Sequence, residues 1–320
     1  TPYEQKVEET SKVPDEVIEK IKKIGLFSIS IPKKYGGREF SMEEQVLLTF
    51  EFTQASAVFR SIFSTTIGLC SQTLLDYGTE EQKTSYLPGM AKGDIIGAFA
   101  LTEPEAGSDA GSLKTAALKK GNGYILNGQK RYITNASFAD VFLVMARTDP
   151  KSIGSEGVSA FLVDSKTQGI EVEEPPKMLG QKGSLACEVN FKDVSIKEEM
   201  ILGNGKDIWP KWKDVVDDAL VLIGAQASGG AEKALSLAVQ YSKEREAFGQ
   251  PIGGFQSIAH YLADALVEVE ASKLLCYEAA WAKQNGKELR RLASMAKIQS
   301  CETFRAVASV TIQIYGGLGF

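Results

Sequence analysis

The chain has 320 residues, 43% of them hydrophobic and 24% charged, with a formal net charge of -5. That is enough for a sizeable core and for two or three domains, and a mildly acidic chain without a basic run argues against nucleic acid as the main partner. No apolar run reaches the roughly 18 residues a membrane span needs, and a single histidine, His260, argues against Ser-His-Asp chemistry and multi-histidine metal sites, so no metal is expected.

Residues 1–93 read as helical. In the segment from Pro14 to Gly25 the apolar residues Val17, Ile18, Ile21 and Ile24 recur at helical spacing. Pro14 and two acids occupy its first turn, and Gly25 suits the C-terminal cap. Ser41-Met42-Glu43-Glu44 is a capping-box pattern, and a further helix is expected to start near Thr79.

Residues 94–203 change to a period of two. Strands are expected at 94–101, 141–147, 158–163, 169–173 and 188–196. Residues 116–120, 124–126 and 129–133, separated by Gly121-Asn122-Gly123 and Asn127-Gly128, read as a three-stranded meander, because Asn-Gly pairs favour tight hairpin turns. The result is an antiparallel β-domain. No Gly-x-Gly-x-x-Gly follows a strand, so a dinucleotide would not be held in the Rossmann manner.

Residues 204–320 are helical again. Long segments with few breakers at 215–246, 256–284 and 287–315 suggest an antiparallel bundle. Ala225, Ala227, Ser228, Gly229 and Gly230 cost helix propensity, so close packing or ligand approach is expected there. Cys70, Cys187, Cys276 and Cys301 form no Cys-x-x-Cys motif. Cys276 and Cys301 fall on helical patterns as small core residues, and a reducing compartment fits: bacterial cytoplasm or mitochondrial matrix. The fold class is therefore α+β: an N-terminal helical domain, a middle antiparallel β-domain and a C-terminal helical bundle.

Four segments carry candidate chemistry. The first, from Ala100-Leu101-Thr102-Glu103-Pro104 to Gly107-Ser108-Asp109, follows a strand and offers free N–H groups and hydroxyls. In the second, Arg131-Tyr132-Ile133-Thr134-Asn135, an aromatic and a hydroxyl could flank a planar cofactor. The third, Glu244-Arg245-Glu246-Ala247-Phe248-Gly249-Gln250, joins two long helices; Arg245 suits a pyrophosphate and Phe248 a ring. In the fourth, Gln313-Ile314-Tyr315-Gly316-Gly317, a glycine pair lets the backbone approach a ligand.

Singly each has a bland reading as a turn, a cross-strand aromatic, a solvated cation or a helix cap. In this order and spacing they resemble the acyl-CoA dehydrogenase family over nearly the whole chain. The stretch Ile31-Pro32-Lys33-Lys34-Tyr35-Gly36-Gly37 and the segments Leu179-Gly180-Gln181-Lys182-Gly183 and Phe191-Lys192-Asp193-Val194 add to the likeness. The resemblance implies FAD. Main-chain groups of Phe99 to Leu101, with Thr102, would contact the flavin edge. Tyr132 would stand beside the ring, Thr134 would hydrogen-bond it, and Ser108 would reach the cofactor pyrophosphate or the CoA portion of the substrate. Arg245, Phe248, Gln256, Gln313, Gly316 and Gly317 would meet the adenosine-diphosphate half in a neighbouring subunit. A homo-oligomer, typically a tetramer, follows from a shared site.

The implied reaction is dehydrogenation of an acyl-CoA thioester to the trans-2-enoyl-CoA, with electrons passed to electron-transfer flavoprotein. An oxidase, or a non-catalytic subunit of the same fold, is the alternative. The resemblance places the usual glutamate base about two dozen residues past the Gly-Gly-x-Gly-Phe motif, beyond Phe320, so the chain is expected to continue and no residue of 1–320 is assigned as the base. A minority of the family carries its base at the position of Ala219, and a common arginine reads Leu220 here. Asp217 matches a substrate-contacting position, and Asp218 is a substitute base only after a shift of register.

Overall fold

The computed structural model describes residues 2–205 and 208–320. Its helices are α1 (Pro2–Thr10), α2 (Asp15–Ile24), α3 (Met42–Phe52), α4 (Ala57–Ser64), α5 (Ser71–Tyr77), α6 (Glu80–Lys92), α7 (Trp209–Glu244), α8 (Gln256–Gln284) and α9 (Arg290–Tyr315). Its strands are β1 (Gly97–Ala100), β2 (Ala116–Lys120), β3 (Gly123–Thr134), β4 (Val141–Arg147), β5 (Val158–Asp164), β6 (Ile170–Val172), β7 (Ala186–Lys197), β8 (Glu246–Ala247) and β9 (Gln250–Pro251). The order of helices, sheet and helices is the expected one. No helix of the described residues is long and apolar enough to cross a membrane.

Local chemistry sets the helix ends. Gly25 closes α2 at φ 80, and its N–H reaches the Ile21 and Lys22 carbonyls. A side chain would be strained in that left-handed conformation. Ser41 caps α3 and Thr79 caps α6, each in a full capping box, with Glu44 and Gln82 as the returning partners.

The chain forms two compact units. One holds the chain up to Glu39 together with Val58–Val216; the other holds Phe40–Ala57 and Asp217–Phe320.

In the first unit the sheet runs β1-β4-β2-β3-β7-β6, and β5 pairs with β4. Most pairings are antiparallel, but β1 lies parallel to β4, Gly97 opposite Val141 through Ala100 opposite Val144. The inward row includes Ala98, Ala100, Leu126, Ile133, Phe142, Val144, Phe161 and Phe191. One expectation is corrected. Asn127-Gly128 is not a hairpin turn: residues 123–134 are one strand, β3, paired along β7. The irregularity sits on the partner, where Lys192 and Asp193 together oppose the single residue Asn127. Asn127 Oδ1 accepts the Asp193 N–H at 2.8 Å, so the amide side chain serves the bulge. Gly128 is needed for space, because a Cβ there would lie 2.4 Å from Thr115 Oγ1.

The second unit packs α3 with the long helices. Its core joins Val46 and Phe50 to Val221, Ala225, Cys276, Ala279, Ala293 and Ala296. The small-residue stretch of α7 does pack closely, since a Cβ on Gly229 would meet the Phe50 carbonyl oxygen at 2.4 Å. Ser228 Oγ lies 2.9 Å from Ser272 Oγ and donates to Ser300 Oγ at 3.0 Å, so buried hydroxyls from α7, α8 and α9 meet in the core. Cys276 is buried, and Cys301 is half-buried.

Candidate functional site

The first unit gathers five of the expected residues at one end of the sheet. Phe99 lies on β1, Leu101 and Thr102 follow it, and Tyr132 and Thr134 end β3. The Arg131 N–H donates to the Thr102 carbonyl at 2.8 Å, which ties the loop after β1 to the last turn of β3. Thr102 and Thr134 are half-buried.

Here β3 carries its own bulge. Lys130 pairs with Val189 and Ile133 with Cys187, so Arg131 and Tyr132 oppose the single residue Glu188. Tyr132 adopts φ 58, and its side chain remains 58% exposed. For a bulky residue that conformation is uncommon and marks a constrained position. The Arg131 guanidinium covers one face of the Tyr132 ring at 4.9 Å, while Arg131 Nε lies 2.8 Å from Glu188 Oε1. The Phe99 ring is itself stacked on Trp212, with centroids 5.3 Å apart and planes 9° apart. Ser108 stands exposed on the loop between β1 and β2.

Beneath this edge lies a buried ion pair that the sequence reading did not assign. Lys130 is 0% exposed and its Nζ donates to Glu103 Oε1 at 2.8 Å and to the Leu101 carbonyl at 2.9 Å. Glu103 also accepts the Lys114 N–H at 2.6 Å and the Thr115 N–H at 2.9 Å. Burial pushes the Lys130 ammonium down to about 8, against the pull of Glu103. Burial would raise the Glu103 carboxyl, but the Lys130 charge and the amide hydrogen bonds outweigh it, and its pKa falls below the usual range. Alternation could have shown this: Leu126, Gly128 and Lys130 share one face of β3, so a lysine sits in an inward row.

The second unit presents the other expected residues on its surface. Between β8 and β9, Phe248 at φ 53 and Gly249 at φ 82 form the tight turn, and the Phe248 side chain is 96% exposed. Arg245 and Gln256 flank this turn, both exposed. A cleft of about 640 Å³ lies beside it, lined by Leu235, Val239, Pro251, Leu262 and Leu266 among others. At the end of α9, Tyr315 stacks on Tyr241 with centroids 4.3 Å apart, and Gln313, Gly316 and Gly317 are exposed. A Cβ on Gly316 or Gly317 would meet nothing within 4 Å, so both backbones are open to a ligand.

Asp217 and Asp218 are not a solvated pair. Arg290 Nε donates to Asp217 Oδ2 at 3.1 Å, and Lys283 Nζ lies 3.0 Å from Asp218 Oδ2.

Three family models match the chain in sequence: the acyl-CoA dehydrogenase N-terminal domain over residues 1–94, the middle domain over 98–194 and the C-terminal domain over 217–320. The chain belongs to the acyl-CoA dehydrogenase family. A curated family member, an acyl-CoA dehydrogenase of Bacillus subtilis, is 39% identical over 319 residues, which cover 100% of this chain and 84% of that protein. The caffeyl-CoA reductase-Etf complex subunit CarC of Acetobacterium woodii is 38% identical, over 98% of this chain and 83% of its own. Among solved structures, an FAD complex of PigA superposes with a TM-score of 0.94 at 29% identity, covering 98% of this chain and 82% of that one.

The residues present suit a flavin. The β-domain offers hydroxyl and main-chain groups beside an aromatic face left open on one side, and the acids there, Glu103 and Glu188, are each paired with a cation, Lys130 and Arg131. The second unit offers a guanidinium and an exposed ring, the donor set a diphosphate and a base would use.

Proposed function

We propose that this enzyme oxidises an acyl-CoA thioester across its Cα–Cβ bond to the trans-2-enoyl-CoA, with FAD as cofactor and electron-transfer flavoprotein as acceptor. The observation that carries the reading is the edge built by Thr102, Tyr132 and Thr134, in a chain matched by the family along its length. When bound, FAD supplies a hydride acceptor.

The rest falls to the protein. Main-chain groups of Phe99 to Thr102 and the Thr134 hydroxyl would hold the ring edge, and Tyr132 would stand beside it with its uncovered face. Arg245 neutralises the diphosphate, Phe248 and Gln256 hold the adenosine half, and Gln313, Gly316 and Gly317 complete that contact with main-chain groups. Ser108 and Asp217 serve the substrate. A thioester α-proton is a weak acid, so its removal needs a carboxylate and stabilisation of the developing enolate oxygen. Asp217 and Asp218 are committed to Arg290 and Lys283, so we assign the base to neither. The exposed Arg245–Gln256 face and the apolar cleft beside it support a homo-oligomer, in which this half of the site serves a neighbouring subunit.

The test is a panel of acyl-CoA thioesters added to the purified holoprotein without oxygen, read by bleaching of the flavin absorbance. Bleaching by one class of thioester is expected, with reoxidation by electron-transfer flavoprotein. Peroxide formation in air at the same rate would make the protein an oxidase. A yellow protein bleached by no thioester would make it a non-catalytic subunit, and a colourless protein that refuses FAD would end the proposal.

A further inference from the structure

The Lys130–Glu103 pair is not a surface ornament of the sheet. Lysine is almost never fully buried without a partner, and here all of its side chain lies inside the β-domain core. Its ammonium has two acceptors, the Glu103 carboxylate and the Leu101 carbonyl. The Leu101 carbonyl and the Thr102 N–H belong to one peptide unit. A cation on the carbonyl oxygen draws electron density from that unit and makes its N–H a stronger donor, as in any hydrogen-bonded chain in a low-dielectric interior. The same lysine directly precedes the Arg131-Tyr132 bulge, and Arg131 N–H is bonded to Thr102 O. Glu103 in turn is fixed by the backbone N–H groups of Lys114 and Thr115 at the entry to β2. One buried pair therefore joins β1, β2 and β3 at the edge assigned to the flavin.

We infer that Lys130, held by Glu103, is a positioning residue of the flavin edge: its ammonium binds the Leu101 carbonyl, fixes the loop against the Tyr132 bulge, and strengthens the Thr102 N–H as a donor to the ring. This rests on the flavin reading above and adds an electrostatic role to it. A donor strengthened at the ring edge favours the reduced, electron-rich flavin over the oxidised one. The pair thus raises the flavin reduction potential as well as bracing the loop.

The test compares the holoprotein with Lys130→Met and with the double variant Lys130→Met/Glu103→Gln. The double variant removes both charges together, so no buried charge is left unpaired, and keeps one amide oxygen for either the Lys114 or the Thr115 N–H. The expected result is that the double variant binds FAD, shows a more negative flavin potential than the parent, and is reduced by acyl-CoA about tenfold more slowly, a fraction of what loss of a whole oxyanion donor costs. A double variant with the parent's potential and flavin spectrum overturns the inference and leaves only a structural pair.

If the double variant does not fold, Glu103→Gln alone carries the test. The groups facing Lys130 are Glu103 and the Leu101 carbonyl from the loop after β1 and Val189 across β7, with Glu188 beside it paired to Arg131. Without the carboxylate the buried ammonium gives up its proton more readily. The potential of Glu103→Gln then falls below the parent's as the pH rises towards about 8, and the gap closes again above about 8, where the parent's Lys130 also loses its proton, and on return to low pH; a gap that does not change with pH overturns the inference. Failure of the parent to take up FAD would sink the proposed function itself, whereas a parent that binds FAD beside unaltered variants sinks only this inference.

Discussion

The β-domain edge and the surface around Phe248 are assigned to opposite ends of the same cofactor, yet they are built in opposite ways. At the β-domain edge the polar groups are buried and mutually satisfied: Lys130, Glu103, two backbone N–H groups and a carbonyl close on one another without solvent. Around Phe248 the same kinds of group stand in water, with an aromatic ring almost wholly exposed on a left-handed turn. The first is rigid before any ligand arrives, because breaking it would orphan buried charge. The second keeps little structure of its own at risk, so its residues answer to binding and hardly to folding.

Substitutions can break that contrast. The largest effect is expected for Lys130→Met, which leaves the Glu103 carboxylate buried without its cation and costs about 3–5 kcal/mol of stability; thermal unfolding of the flavin-free protein would show it, and an unchanged melting temperature would contradict the rigid-edge account. Arg245→Ala comes next. It removes charge-assisted contacts worth about 1.5–3 kcal/mol, roughly tenfold to a hundredfold in FAD affinity, while the flavin-free protein melts as before. Phe248→Ala is expected to weaken FAD by about tenfold, near the value of one ring contact, with stability within about 0.5 kcal/mol of the parent. A titration of flavin-free protein with FAD measures both, and a large loss of folding stability in either variant would erase the distinction between the two regions.

The smallest effect is one of pH. The Glu103 carboxyl is held below its unfolded value, so its contribution to stability is complete above about pH 4.3 and is lost as the pH falls through the lower folded value. The gap in melting temperature between the parent and Glu103→Gln should therefore narrow on acidification below about pH 4. A gap that widens in acid would mean the carboxyl is not stabilised by folding.

Much of the architecture could be read from residues close in the chain. The caps at Ser41, Thr79 and Gly25 need only a few neighbours to be recognised, and each helix begins or ends where its cap stands. The failure at Asn127-Gly128 has the reverse cause. Those residues do favour a turn, but the extra residue that relieves the strand lies on β7 at Asp193, and nothing near Asn127 reports it. The candidate site divides in the same way. That the segment carrying Arg245 and Phe248 joins two long helices was legible locally. The left-handed backbone of Tyr132 was not, since neither glycine nor asparagine marks it, and the stacking of Phe99 on Trp212 joins residues far apart in the chain. Lys130 lay between: its parity on β3 pointed inward, but its partner Glu103 was visible only as part of a loop.

The hydroxyls of Ser228, Ser272 and Ser300 have a further consequence for the bundle. Alanine-lined helices offer each other smooth surfaces, and a slide of one turn, about 5.4 Å, would still meet small side chains. Such a slide would strand the buried hydroxyls of Ser228 and Ser300 at about 1–3 kcal/mol apiece, while Ser272 would keep its bond to the Val269 carbonyl. The serine knot therefore acts as an axial alignment pin: it contributes little to how strongly the helices adhere and a great deal to where along their length they stop.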